Sequence, residues 1–136
     1  MAGYAYRVKD MAGPSPSVSL NIQDIWIDPT SLTTADVRIS KVLMSDEPDS
    51  YHITFERLDE YGIVDQTNSE TFNVVSVSDE PIFTITGLTA ERKYDVTVVA
   101  YKGSSYGTPI TDTLTMTSAI FNGKVIGGAV SYTHLT

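Results

Sequence analysis

The chain has 136 residues, 41% hydrophobic and 19% charged, which suits one domain of roughly 100 residues with a packed core and short tails. Nine Lys and Arg stand against 17 Asp and Glu, a net charge of −8, which argues against sequence-independent nucleic-acid binding, since that needs clustered cations to displace counterions. The absence of cysteine excludes a disulfide scaffold, a thiolate metal site and a cysteine nucleophile.

Residues 1–17 contain no apolar h-region of a secretory signal, and Pro14, Pro16, Gly13, Ser15 and Ser17 mark an extended arm or linker. Residues 18–119 are expected to form the domain. Within it, Val, Ile, Thr, Tyr and Phe recur with period two and helical spacing is almost absent. Val18, Leu20 and Ile22 alternate, and residues 24–28 continue that strand or begin a bulge. A turn follows at Asp28-Pro29-Thr30. Ala35, Val37 and Ile39 form the next strand, then Asp46-Glu47-Pro48-Asp49 is a polar turn. Tyr51, Ile53 and Phe55 alternate with His52, Thr54 and Glu56 up to a turn at Asp59-Glu60-Tyr61-Gly62. Phe72 and Val74, with an extension through Val75–Val77, form a strand before Pro81. Residues 82–85 form a short one. Tyr94, Val96, Val98 and Ala100 alternate most cleanly, and Leu114 and Met116 mark the last strand, over 112–118. Short strands separated by turn signals imply two antiparallel sheets, each with one buried and one wet face. The expected fold is all-β, a seven-stranded antiparallel Greek-key sandwich.

Leu88, six residues before Tyr94, and the run Tyr94-Asp95-Val96-Thr97-Val98-Val99-Ala100 resemble the late part of a fibronectin type III domain. The segments 82–88 and 51–55 resemble strands of the same family, so the resemblance spans about three quarters of the chain, residues 18–119. It implies that Tyr94 closes a sheet-to-sheet corner, with its ring buried and its hydroxyl bonded to an upstream backbone group, and that Leu88 packs beneath it. Ala90 stands where the family often has proline, and Ile39 where a tryptophan is usual. Trp26 is expected to fill part of that volume. Members of the family serve as spacers, adhesive modules, receptor ectodomains, appendages of bacterial glycosidases and surface domains of phage virions, so the resemblance implies no one function. The Arg-Gly-Asp tripeptide of its cell-adhesive members is absent.

No catalytic constellation is legible, and neither a metal site nor a cofactor is expected. His52, the only histidine within residues 18–119, faces outward in the alternation, and nothing marks a nucleophile or an orienting acid beside it. Ten carboxylates between residues 46 and 80 lack calcium-loop spacing and read as a solvated face. Tyr101, Lys102 and Tyr106, with Gly103 and Gly107, form a candidate binding loop.

The tails carry the remaining functional signal. Residues 120–136 form a second arm, with an Asn122-Gly123 turn signal. Its last stretch, 131–136, resembles translated adapter sequence foreign to the native protein, which would make His134 irrelevant to function. Tyr4, Tyr6 and Val8 in one arm, and Ile120, Phe121, Val125 and Ile126 in the other, are candidate anchors for a neighbour's sheet edge. The expected function is a non-catalytic subunit that polymerises with copies of itself into an extracellular filament or on a phage virion surface. Other virion or cell-surface proteins are further partners, and neither nucleic acid nor a membrane span is expected. The alternative is an adhesive or carbohydrate- or protein-binding module cut from a larger secreted protein.

Overall fold

The computed structural model of the chain describes residues 15–118, 120–121 and 124–125. In chain order the strands are β1 (Ser15–Pro16), β2 (Asp24–Pro29), β3 (Ala35–Ser40), β4 (Ser50–Leu58), β5 (Val64–Asn73), β6 (Ile82–Ile85), β7 (Lys93–Lys102), β8 (Ser105–Tyr106), β9 (Ile110–Thr115), β10 (Ile120–Phe121) and β11 (Lys124–Val125). Seven of these build the sandwich. One sheet runs β2-β3-β6. The other runs β1-β8-β7-β4-β5, with β9 also paired to β7. Sandwich neighbours are antiparallel, and β1 joins β8 in a short parallel pair. The expected all-β class and two-sheet arrangement are therefore observed.

The core follows from the alternation. Val37 and Ile39 of β3, Tyr51, Ile53 and Phe55 of β4, and Tyr94, Val96, Val98 and Ala100 of β7 face inward, joined by Ile25, Ile85, Leu114 and Met116. Burial of such a side chain contributes about 1.5–3 kcal/mol. The outer face of the larger sheet is polar, and the Thr97 and Thr111 hydroxyls meet there at 2.7 Å.

Several local expectations are corrected. Residues 18–20 form a 3-10 turn, not a strand: the Leu20 and Asn21 amides donate back to Ser17 and Val18 carbonyls at 3.1 and 3.2 Å. Val18 is thereby 82% exposed while Leu20 is buried. Close packing holds this turn against the β8–β9 connection, where a Cβ on Gly107 would lie 2.1 Å from the Leu20 carbonyl oxygen. The next strand runs through Pro29, and its turn closes with the Thr30 amide donating to the Thr34 carbonyl at 3.0 Å. β5 stops at Asn73, leaving Val75 and Val77 exposed. β9 ends at Thr115, although Met116 and Thr117 remain buried.

Trp26 does not fill core volume. It pairs across the strands with Arg38, whose guanidinium lies 4.3 Å from the indole centroid, and Arg38 bonds Glu80 at 3.1 Å. Inward positions on β2 fall to Ile25 and Ile27, so the register places Trp26 on the outer face.

Candidate functional site

Tyr94 enters β7 with a buried ring 6.5 Å from that of Phe55, and its hydroxyl accepts the Thr89 amide at 2.7 Å. Leu88 is buried beside it, and its amide donates to the Thr33 carbonyl at 2.9 Å. This corner end is also tied by charge. Arg57 Nε donates to Asp65 at 2.8 Å, Arg92 reaches the other Asp65 oxygen, and Arg92 caps the Leu58 carbonyl at 2.8 Å. The hydrogen bonds from Arg57 and then Arg92 hold the Asp65 carboxyl below its ordinary range. The same contact with Asp65 raises the Arg57 guanidinium.

The β7–β8 hairpin turns through Gly103, at φ +59, with the Gly103 amide donating to Asp49 at 2.8 Å. It brings Tyr101 and Tyr106 together, their ring centroids 5.7 Å apart, and places His52 edge-on to Tyr101 at 6.4 Å. Lys102 is not part of this cluster. Strand alternation sends it to the opposite face, 4.0 Å from Asp46. His52 also shares a 3.0 Å hydrogen bond with Thr71.

Both ends of the larger sheet carry a recess: beside the Tyr94 corner a shallow one is lined by Leu58, Tyr61, Asp65, Arg92 and Lys93, and a smaller one lies at the opposite end. The 41–49 and 74–81 loops bound a pocket of about 290 Å³ that sequence reading did not anticipate. Its apolar wall includes Tyr51, Val74, Ile82 and Phe83, and its polar side is Lys41 with Glu47. Lys41 Nζ bonds both Glu47 oxygens at 2.7 Å. Phe83 stands 5.4 Å from Tyr51, and Phe72 packs behind it at 5.1 Å. The Tyr51 hydroxyl is buried with no hydrogen-bond partner among the described residues. Burial, helped by the Glu47 charge, pushes this phenol well above its ordinary value. In sequence Tyr51 is one more inward strand residue. Only its hydroxyl, which costs about 1–3 kcal/mol when buried unpaired, marks it as different.

Beside this pocket runs β5, ten residues at the outer edge of the larger sheet. Its outer side has no strand paired to it among the described residues. Proline and lysine, which commonly blunt such edges, are both missing from it. At the other edge β1 pairs with β8. Of the candidate anchors, Ile120 and Phe121 pair with Val125 and Lys124 in a small hairpin, while Tyr4, Tyr6, Val8 and Ile126 lie outside the described residues.

Among the described residues no group of three or more His, Cys, Asp or Glu is placed to hold a metal ion. No helix there is long and apolar enough to cross a membrane.

The fibronectin type III domain family profile matches residues 22–117, and the chain belongs to that family. Solved structures agree on the fold. The chain is similar to the third fibronectin III domain of the human KIAA0343 protein at TM-score 0.63 and 13% identity, covering 86% of this chain and 95% of that one. It is similar to the FN5 domain of Drosophila Lar at TM-score 0.55 and 20% identity, covering 78% and 99%. It is similar to the fn3 domain of human collagen alpha-1(XX) chain at TM-score 0.56 and 16% identity, covering 82% and 92%. No curated protein matches the sequence.

Proposed function

We propose that this domain is a non-catalytic structural module that assembles with copies of itself through its terminal arms, on an extracellular filament or a virion surface. The open β5 edge carries the proposal. An unpaired strand of ten residues presents a row of backbone donors and acceptors to any extended segment. The chain supplies such segments at both ends: residues 15–16 already pair as a strand, and residues 120–121 pair with 124–125. A segment that leaves one edge and a receiving edge on the far side of the same sheet make a head-to-tail contact, which propagates unless rotation closes it. Electron microscopy of the full chain over a concentration series tests this. Ordered polymers are expected, and the Gln66→Lys/Glu70→Lys variant, which blunts the edge, is expected to lose them while melting at the same temperature. A full chain that stays monomeric at its highest soluble concentration contradicts the proposal.

A second reading has its own support in the Tyr101–Tyr106 cluster with His52, a half-buried aromatic platform suited to a glycan or protein partner. Loss of a partner identified by glycan array on Tyr106→Ala is its expected result, and unchanged binding removes the platform from consideration.

A further inference from the structure

We propose that the pocket over Tyr51 is the seat for a tyrosyl side chain, Tyr4 or Tyr6, from the N-terminal segment of a second copy. This inference rests on the assembly reading and supplies it with a docking residue.

Four observations meet at the pocket. The Tyr51 hydroxyl is buried and unpartnered, so the isolated domain carries a desolvation cost at a residue that lines the pocket, and a ring seated there has to displace the covering side chains slightly to bond it. A phenol is protonated at neutral pH and burial shifts it further in that direction, so it remains a donor. The cavity, about 290 Å³ and lined by Tyr51 and Phe83 among its apolar residues, has the size and the aromatic lining to take one ring. The rim carries unpartnered apolar surface: Val75 is 95% exposed, Val77 73% and Ile82 56%.

Residues 1–14 fit this receptor chemically. The spacing of Tyr4, Tyr6 and Val8 would put them on one face when the segment binds extended, so that one tyrosine enters while its neighbours run along the rim and the β5 edge. The segment carries Arg7 and Lys9 against Asp10, whereas the 41–49 and 74–81 loops hold five carboxylates and one lysine. The donor's origin favours a second copy. β1 is the last strand at one edge of the larger sheet and β5 the last at the other. One molecule therefore gives at one edge and receives at the opposite one.

Because the chain has no cysteine, disulfide trapping is clean. Ala5→Cys, which keeps both tyrosines, is mixed with Val75→Cys, each in the full chain and distinguished by mass, and oxidised mildly. Heterodimers are expected at least several-fold above those from Ala5→Cys with Tyr61→Cys, an exposed position at the other end. Raising salt lowers the yield. Adding Tyr4→Ala/Tyr6→Ala to the donor removes the excess, while Tyr51→Phe in the receiver lowers it without lowering the melting temperature. Yields equal to the control overturn the inference. So does a donor whose yield survives the loss of both tyrosines, and so does a chain carrying both cysteines that closes on itself at dilution while the mixture forms no heterodimer. Polymers without this cross-link sink the pocket and leave assembly standing. Cross-linked pairs that never polymerise sustain the pocket and remove the filament.

Discussion

Two buried tyrosines on the inner face of one sheet mark a finished hydrogen bond at one end and an unfinished one at the other. Tyr94 accepts a backbone amide at 2.7 Å and sits above an Arg57–Asp65–Arg92 network. Tyr51 is as deeply buried and has no partner for its hydroxyl among the described residues. A satisfied buried phenol is a structural corner. An unsatisfied one, on a residue that lines a pocket, carries an unrelieved desolvation cost. The same residue type thus serves folding at one end and is suited to recognition at the other.

The sharpest ways to break this contrast start at the root of the arm. Gly107→Ala forces a Cβ against the Leu20 carbonyl, both backbone, so overpacking is expected to cost about 2–3 kcal/mol in chemical denaturation. A cost below about 0.5 kcal/mol shows that the turn yields easily. The paired phenylalanine substitutions come next. Tyr94→Phe strands the Thr89 amide and is expected to lose about 1–2 kcal/mol. Tyr51→Phe deletes an unpaired hydroxyl and is expected to gain up to about 1 kcal/mol in the dilute chain. Equal losses from both abolish the distinction.

The smallest effect is on acid stability. Asp65 has a depressed folded pKa, so the unfolded chain binds its proton more readily. Its stabilising contribution is complete above the unfolded value, about 4, and is lost as pH falls through the folded value. Asp65→Asn is expected to melt below the parent at neutral pH, with the gap closing in acid. A gap independent of pH shows that the Arg57 and Arg92 contacts do not act through the charge.

What the sequence showed was what local periodicity encodes. The run from Tyr94 to Ala100 carries its own alternation, and Leu88 stands at a fixed spacing before it, so the corner was legible from one contiguous stretch. Val18, Leu20 and Ile22 alternate too. Yet that pattern is also met by a tight turn followed by extended chain, and the contact that decides between them comes from Gly107, far along the sequence. Trp26 was misplaced because register, not residue size, chose the face of β2. The pocket was illegible for the same reason. Lys41, Glu47, Tyr51 and Phe83 converge only after two loops and two sheets have folded together, and Glu47 had been counted simply as part of an acidic surface.

The most direct test of the unfinished end is residue-resolved hydrogen exchange on the full chain at low and high concentration. If β5 receives a neighbour's arm, its outward amides gain protection on concentration while those of β7 stay unchanged. Identical exchange of the β5 amides at both concentrations, with the chain soluble throughout, would contradict that role for the edge.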